Sequence, residues 1–386
     1  MKKVDVLWFS DRNVVKYGST WGKRNFIGRL PLAAVCVLLA TFLMGGTGCS
    51  SWSNDVAATT SPTMQANVNG FGTAANHPHA LLVFPDHVLV LATHFGTFRS
   101  GDGGKSWKQV GGGSGQIMDG LMSFSLTASP LNQRRIYLLT QLALTTPKGT
   151  LGLYTSTDQG QTWQLATAAS NLTPNKTIYL AEAGNDSADQ VYVYLPALGT
   201  TGLKVSMDNG KHFRDTGTFP FGDMTFLLAV PGAKGHLVAG SSSGMAQSSD
   251  SGKQWKTIKG ITGGIFNIVS AGPHQPIYAD GDNGLYVSQD GGQTFTGVNQ
   301  QATYGISLTV SPTQPQVLYG HTAQAIYRST NGGKTWQTMP LVKGQLYNLV
   351  ADPAHAQEVY LTMSYPTEVY HFNQARQTWS SLTPKS

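Results

Sequence analysis

Cysteine is nearly absent from this chain of 386 residues, since the two that occur, Cys36 and Cys49, both lie before residue 50. A disulfide within the rest of the chain is therefore excluded, and packing must stabilise it. Charged residues are also scarce, at 12%, whereas glycine is abundant, with 45 residues. Many short strands joined by tight turns are typical of such a composition. The composition favours an all-β fold.

The net positive charge is concentrated at one end of the chain. The formal net charge is +6, and residues 1–29 contribute +5 of it through seven Lys or Arg and two Asp, which leaves +1 for the remainder. A nearly neutral body without clustered basic residues lacks the electrostatic footprint that phosphate binding requires. We therefore expect no nucleic-acid partner.

An uncharged segment follows the basic one. Residues 30–46, LPLAAVCVLLATFLMGG, would reach about 25 Å as a helix, slightly less than a hydrocarbon core of about 30 Å. A basic flank, an apolar run and small residues are typical of an export signal. The Gly48–Cys49 step resembles a bacterial lipoprotein cleavage site, which makes Cys49 the candidate for lipidation. An uncleaved signal anchor and ordinary cleavage are the alternatives, and all three place the body outside the cytoplasm.

An octet is repeated along the body of the chain. Its six copies are SGDGGKSW at 100–107, STDQGQTW, SMDNGKHF, SSDSGKQW, SQDGGQTF and STNGGKTW, and a worn seventh copy ends at Trp379. The closing aromatics are 40 to 56 residues apart, and periods near 40 indicate propeller blades. Each unit shows four short strand patterns in the same order. Four strands in seven units predict a seven-bladed β-propeller over residues 77–382, preceded by a flexible linker at 50–76 and followed by a tail at 383–386.

Each residue type in the octet suits a tight turn. The Asp carboxylate accepts hydrogen bonds from backbone amides, the Gly two positions later takes a positive φ, and the closing aromatic packs between blades. The predicted structural residues are Asp102, Asp158, Asp208, Asp250, Asp290, Asn331, Trp107, Trp163, Trp255 and Trp336. Calcium binding or catalysis by these aspartates is the alternative, and Asn331 and Gln374 in the last two copies argue against it.

At these octets the sequence resembles the Asp-box, or BNR, repeat proteins, which include sialidases, sortilin-type receptors, xyloglucanase-type glycoside hydrolases and photosystem II assembly factors. The resemblance covers about residues 77–382 and implies the propeller fold, but one architecture hosts many functions. Each subgroup has a feature of its own: a stretch like Phe-Arg-Ile-Pro in sialidases, a second propeller in xyloglucanase-type enzymes and a cysteine-rich tail in sortilin-type receptors. This sequence shows none of the three. The assembly factors are most similar in blade number, size and export signal.

Propeller topology nominates one face for binding, because the loops entering each first strand and the turns between second and third strands lie together, opposite the octet turns. The binding residues predicted there are His77, His79, His94, Asp280, Asp282, His321 and Tyr365. Antiparallel pairing in the first unit brings His79 near His94. Since imidazole suits Zn, Cu or Ni, these two and His77 are candidate metal ligands, although their spacing is no recognised signature. Ordinary polar loop residues and strand-end caps are the alternative, and no other cofactor is expected.

Catalytic motifs are missing from the body, which has no GxSxG elbow, zinc-protease motif or phosphate loop. Asp119, Asp223 and Glu368, from different units, are the candidates for an acid pair. Long insertions between second and third strands, LALTTPKGTLG and LPALGTTG, also fall on the nominated face, where repeat arrays tend to bind. We expect a monomer, tethered to the cell envelope, that binds a protein or glycan and supports assembly. A glycoside hydrolase and a metal-binding propeller are the alternatives.

Overall fold

Short stretches of alternating apolar and polar residues form strands throughout the chain, and tight turns rich in glycine join them. The structure is a computed structural model that describes residues 75–384 except 144–146, 175–176, 262 and 300–306. The predicted export segment, Cys49 and the linker up to residue 74 lie outside the described residues. Among the described residues, no helix has the length and apolar character needed to cross a membrane.

The first four blades are antiparallel sheets whose strands follow one another in chain order. Blade 1 contains β1 (Pro78–Val83), β2 (Leu89–Thr93), β3 (Gly96–Ser100) and β4 (Lys108–Gly111). Blade 2 contains β5 (Leu121–Ser129), β6 (Asn132–Leu142), β7 (Gly152–Ser156) and β8 (Gln164–Ala168). Blade 3 contains β9 (Leu180–Ala183), β10 (Val191–Tyr194), β11 (Leu203–Ser206) and β12 (Arg214–Asp215). Blade 4 contains β13 (Phe226–Ala229), β14 (Leu237–Ser241), β15 (Gly244–Ser248) and β16 (Lys256–Thr257).

The last three blades repeat this order. Blade 5 contains β17 (Ile265–Ser270), β18 (Ile277–Gly281), β19 (Gly284–Ser288) and β20 (Thr296–Asn299). Blade 6 contains β21 (Ser307–Val310), β22 (Leu318–His321), β23 (Ile326–Ser329) and β24 (Gln337–Thr338). Blade 7 contains β25 (Gln345–Ala351), β26 (Val359–Ser364), β27 (Glu368–Asn373) and β28 (Thr378–Ser381). Two 3-10 segments, Ala169–Asn171 and Pro196–Thr201, lie between strands, the second within a predicted insertion. The prediction of seven four-stranded blades is confirmed.

The seven blades form a closed ring. The first strand of each blade contacts the first strand of the next, and β1 contacts both β25 and β26. Seven apolar clusters of described residues fill the seven seams between neighbouring blades. In the closing seam, Leu91 and Phe98 of blade 1 share a cluster with Tyr360 and Val369 of blade 7. Blade 7 supplies all four of its own strands, so packing rather than an exchanged strand closes the ring.

A buried tyrosine recurs at one register position of the second strand in five blades. The five are Tyr137, Tyr192, Tyr278, Tyr319 and Tyr360. Three of their hydroxyls donate to a backbone carbonyl in the next blade: Tyr137 to Ala188 (3.4 Å), Tyr278 to Pro315 (3.1 Å) and Tyr319 to Ala356 (3.3 Å). These hydrogen bonds satisfy the buried hydroxyls and link successive blades.

The octet turns contain the predicted carboxylate contacts, and they also have a serine at their centre. In blade 5, Asp290 Oδ1 accepts hydrogen bonds from the amides of Gln293 and Thr294, both at 3.0 Å. Ser288 Oγ donates to the same oxygen and accepts from the amide of Gly292, both at 2.7 Å. The equivalent serine is at most 2% exposed in each of the six complete copies, namely Ser100, Ser156, Ser206, Ser248, Ser288 and Ser329. The glycine that follows has a positive φ in every copy, as predicted.

The closing aromatics of the octets pack in the seams. Trp163 lies in the cluster between blades 1 and 2, and Phe295 in the cluster between blades 4 and 5. The indole of Trp107 reaches the last blade, because its Nε1 donates to the Leu382 carbonyl at 3.0 Å. Each octet aromatic thus contacts the blade that precedes its own, so these residues stabilise interfaces as well as turns.

The seventh turn differs from the sequence alignment. Gln374 was expected to replace the octet carboxylate, but the side chain that fastens the turn is Asn373, whose Oδ1 accepts from the Arg376 amide at 3.0 Å. The strands pair up to Asn373 and Thr378, so this hairpin is tighter than an octet turn. Because the hairpin is tighter, the residue that accepts the turn amide lies one position earlier than in an octet. Aligning the copies on their closing aromatic, Trp379, therefore pointed to Gln374 instead of Asn373.

Candidate functional site

The two faces of the ring carry different residues. The upper face, as we call it, consists of the segments that enter each first strand and the turns between second and third strands, and the lower face carries the octet turns. All seven predicted binding residues lie in or next to upper-face segments, as do the acids Asp119, Asp223 and Glu368. Their degree of burial and their contacts, however, differ widely.

Three histidines of blade 1 lie together at the upper face. His77 and His79 flank Pro78 at the start of β1, and His94 follows the end of β2. The amide of His94 donates to the His77 carbonyl at 3.0 Å, which holds the two chain segments side by side. Pro78 pairs with Thr93 and Ala80 with Ala92, so His79 is the extra residue of a β-bulge. A bulge redirects a side chain that regular alternation would place on the other side of the strand.

The three imidazole rings form one cluster. The ring centroid of His77 lies 4.5 Å from that of His79 and 5.0 Å from that of His94. One ligand nitrogen from each ring lies within 4.8 Å of the other two. Nδ1 of His77, Nε2 of His79 and both nitrogens of His94 are buried and have no hydrogen-bond partner among the described residues. The predicted proximity of His79 and His94 is therefore present in the structure.

Burial keeps these histidines neutral. It lowers the pKa of His77 to about 4, with a smaller contribution from His94. Burial, followed by the neighbouring His77 and His94, holds the pKa of His79 well below its usual range, and burial also lowers the pKa of His94. A neutral imidazole offers a free lone pair, so the cluster presents three metal-ligand groups near neutral pH.

Aromatic residues surround the histidines. The Tyr365 ring lies 4.9 Å from that of His77, and the Phe124 ring lies 5.7 Å from that of His79. Tyr365 is 51% exposed and belongs to the turn between β26 and β27, so blade 7 contributes to this part of the upper face. Phe124 belongs to β5, so blade 2 contributes as well.

The position of His79 recurs in other blades, which sequence reasoning missed. The register of the first and second strands shifts by one residue at Phe124 in blade 2, Phe266 in blade 5 and Tyr347 in blade 7. Each bulged residue is aromatic and lies near the upper end of its first strand. A slip in the alternation of polar and apolar residues within these first strands, as in QLYNLVA, is the sequence signal that could have revealed them.

Two of the predicted binding residues are internal rather than surface groups. Asp280 is 1% exposed within β18, and His321 is 6% exposed at the end of β22. Nδ1 of His321 lies 3.1 Å from the Thr322 carbonyl, and its Nε2 lies 3.0 Å from the Tyr347 carbonyl of blade 7. These contacts give His321 a role in packing blade 6 against blade 7. The side chains of Asp280 and His321 are both buried, so they do not form part of the surface that a bound molecule would contact.

The candidate acids fasten upper-face loops. Three aspartates each accept a hydrogen bond from a backbone amide through one carboxylate oxygen. The pairs are Asp119 with Gly115 (2.8 Å), Asp223 with Ser242 (2.9 Å) and Asp282 with Gly264 (2.7 Å). Glu368 Oε2 accepts the hydroxyl of Tyr370 at 3.0 Å. The first three hydrogen bonds order their loops, and each of the four acids has one oxygen engaged in this way.

One groove of the upper face includes a candidate acid. Its volume is about 380 Å³, and it lies between the segment that enters blade 2 and the blade 2 insertion. Asp119, Lys148 and Tyr154 line it together with Ile117 and Leu165. The groove combines apolar walls with one carboxylate and one ammonium group, which suits binding more readily than a reaction that needs two acids.

A second cluster of ligand groups lies on the lower face of blade 7, and sequence reasoning did not find it. It consists of Asp352, Glu358 and His371. The groups already interact with one another and with the backbone: His371 Nε2 lies 3.0 Å from Glu358 Oε2, and Asp352 Oδ1 accepts the amides of Ala354 (2.7 Å) and His355 (2.8 Å). The cluster is an ion-paired network held by its own turn, in which Nε2 of His371 makes a close ionic contact with Glu358 but no hydrogen bond among the described residues.

Comparisons with known proteins support the propeller fold and establish nothing about function. No protein-family model matches the sequence, and no curated protein matches it either. The GH74 enzyme of Niastella koreensis is similar in structure, with a TM-score of 0.61 and 15% identity over 78% of this chain and 53% of that enzyme. The GH74 xyloglucanase from Xanthomonas campestris gives a TM-score of 0.62 and 16% identity over 81% of this chain and 55% of its own.

A third similar structure is that of YCF48 bound to D1 peptide, with a TM-score of 0.56 and 16% identity over 78% of this chain and 94% of YCF48. This chain thus spans about half the length of the two GH74 enzymes and nearly all of YCF48. At such low identities the similarity establishes the propeller architecture, which hosts many activities.

Proposed function

We propose that this protein is an extracytoplasmic, membrane-tethered propeller whose upper face binds a polypeptide segment of a partner protein. The supporting observation is the distribution of exposed apolar side chains. Of the nine large ones that are exposed among the described residues, six lie in upper-face segments: Ile117, Leu142, Leu198, Phe266, Leu341 and Tyr365. Only Leu131 and Met207 lie in lower-face turns, and Leu165 lies on an outer strand.

Apolar side chains concentrated on one face favour a protein partner. Contiguous exposed apolar patches mark interaction sites in soluble proteins, and six large side chains on one face can contribute to such a surface. Four of the six are aliphatic, and aliphatic side chains suit the apolar side chains of a polypeptide better than the flat face of a sugar. The structure of YCF48 with a bound peptide is consistent with this choice of ligand class.

The upper face is also ordered before a partner arrives. The carboxylates of Asp119, Asp223 and Asp282 each fix a loop by accepting a backbone amide. A face whose loops are already hydrogen-bonded loses little conformational entropy on binding. We therefore assign these acids a positioning role in recognition.

The N-terminal segment provides the proposed tether. Residues 1–49 act as an export signal that ends in a lipidated Cys49, or as an uncleaved anchor, and residues 50–76 act as the linker to a monomeric propeller. The basic residues before the apolar run favour a cytoplasmic start and an extracytoplasmic body. A partner at the cell envelope follows from this placement.

A peptide-selection experiment tests the proposal. The purified full chain in detergent is used to select binders from a library of short random peptides, and their affinities are measured by calorimetry. A variant with Leu142→Ser, Leu198→Ser and Leu341→Ser should bind the selected peptides about tenfold more weakly, equivalent to about 1.4 kcal/mol. A matched lower-face variant with Leu131→Ser and Met207→Ser should bind like the wild type.

Two results would contradict the proposal. Equal binding by both variants would show that the upper face is not the peptide site. Turnover of xyloglucan or another glycan that is lost in Asp119→Asn, Asp223→Asn or Glu368→Gln would instead support the glycoside hydrolase alternative, for which the similar GH74 enzymes are the precedent.

A further inference from the structure

We propose that His77, His79 and His94 form a binding site for one divalent transition-metal ion, with Zn²⁺ as the preferred probe, at the upper end of blade 1. This site is independent of the peptide-binding function proposed above. It rests on the convergence of one ligand nitrogen from each ring and on four ring nitrogens of the cluster that have no hydrogen-bond partner among the described residues.

The geometry requires only a small contraction. All three candidate nitrogens lie within 4.8 Å of one another. Zinc–nitrogen bonds of about 2.0–2.1 Å place the ligands of a tetrahedral site about 3.3 Å apart. A contraction of at most about 1.5 Å between the nitrogens gives that separation, and the hydrogen bond between the His94 amide and the His77 carbonyl holds two of the three backbones side by side.

The unpartnered nitrogens point to a ligand. A buried polar atom without a hydrogen bond is costly, by about 1–3 kcal/mol. Here four such atoms, contributed by three adjacent rings, lie together. A single metal ion would satisfy one nitrogen of each ring at the same time.

Another buried histidine of this chain shows the contrast. His321 is also buried, yet each of its ring nitrogens lies within 3.1 Å of a backbone carbonyl. A carbonyl acceptor is therefore in place for the single N–H of the neutral His321 ring, whereas the unpartnered nitrogens of the blade 1 cluster have no such acceptor among the described residues. The bulge at His79 directs that ring toward the other two.

The chemistry of the cluster suits a borderline metal. Three neutral nitrogen ligands suit Zn²⁺, Cu²⁺ or Ni²⁺ rather than Ca²⁺ or Mg²⁺, which prefer oxygen. A three-histidine set also retains one coordination position for water or another ligand.

The test is a metal titration of the full chain, without an affinity tag, after treatment with a chelator. Calorimetry with Zn²⁺ should give one equivalent bound with micromolar or tighter affinity. His94→Gln should weaken this binding at least tenfold, while His371→Gln, which alters the lower-face cluster, should leave it unchanged. Circular dichroism and thermal melting establish that each variant is folded.

Two further measurements keep the proposal falsifiable even if a variant fails to fold. X-ray absorption at the zinc edge of the loaded wild type should show three imidazole ligands, and Co²⁺ should give the intense visible bands of a tetrahedral site. Absence of stoichiometric binding by the wild type, fewer than three imidazole ligands, or binding lost in His371→Gln and kept in folded His94→Gln would overturn the proposal. Peptide binding by the metal-free protein would persist in any of these cases, so the two proposals fail separately.

Discussion

The serine of the octet turn should contribute more to stability than the aspartate after which such turns are usually recognised. Ser288 is 1% exposed, and its Oγ accepts the Gly292 amide at 2.7 Å while donating to Asp290. Ser288→Ala removes the only acceptor that this buried amide has within the described part of the chain. Leaving a buried donor without a partner costs about 1–3 kcal/mol.

Replacement of the aspartate should cost less. The amides of Gln293 and Thr294, which bond to Asp290, are exposed, so water can replace the carboxylate. Asn331 already fulfils this role in blade 6, where its Oδ1 accepts the Thr335 amide at 3.0 Å. We therefore expect Asp290→Asn to lower the free energy of unfolding by less than about 1 kcal/mol.

Thermal unfolding followed by circular dichroism distinguishes the two substitutions. A change of 1 kcal/mol shifts Tm by about 2–4 °C in domains of 150–250 residues, and by less in larger ones. Ser288→Ala should therefore lower Tm by about 1–5 °C. Gln289→Ala, an exposed neighbour in the same turn, is the matched control. A larger effect of Asp290→Asn than of Ser288→Ala, or a loss in Ser288→Ala no greater than in the control, would refute the reasoning.

Three further predictions concern the seams. Tyr278→Phe removes the hydroxyl that donates to Pro315 and should lower the free energy of unfolding by about 0.5–1.5 kcal/mol, measured by urea denaturation; no change would show that the link is not stabilising. Trp107→Phe removes the donor to the Leu382 carbonyl and should accelerate hydrogen exchange in blades 1 and 7 but not in blade 4. Burial lowers the pKa of His321 below the usual 6.5, so the unfolded chain binds more protons at acidic pH, and stability falls as the pH drops below about 6.5. His321→Gln should therefore lose less Tm than the wild type between pH 7 and 5, and equal losses would contradict this assignment.

The sequence was sufficient for the architecture because the octet specifies a turn through local chemistry. A serine, a carboxylate or amide and a glycine with positive φ act within eight residues, so their spacing alone locates the third and fourth strands of a blade. Six repetitions then fix the number and order of the remaining strands. Blade 7 departs from this rule, because its hairpin is fastened by Asn373 rather than by the aligned Gln374.

The candidate site was only partly predictable, because contacts between blades depend on distant segments. Pairing of β1 with β2 predicted that His79 and His94 would be close. The approach of Tyr365 to His77 depends instead on ring closure, which brings blade 7 next to blade 1. Burial of Asp280 and His321 follows from the depth of the seams, which a pattern of short strands does not reveal.

The two faces of the propeller differ in how closely the repeat determines their residues. The lower-face turns reuse the same few residues, so their sequence is constrained by hydrogen bonding. The upper end of each first strand is free to vary, and in four blades a bulge places His79, Phe124, Phe266 or Tyr347 there. A bulge redirects one side chain and shifts the register by one residue, while the stretches on both sides of it stay paired, so a blade can acquire an aromatic or a ligand group and keep its sheet. The histidine cluster of blade 1 lies where two such bulged neighbours meet: the Phe124 ring is 5.7 Å from that of His79, and the Tyr347 hydroxyl is 3.5 Å from the His79 carbonyl. The upper ends of the first strands therefore carry side chains that the repeat does not specify, whereas the octets contribute to stability through their regularity.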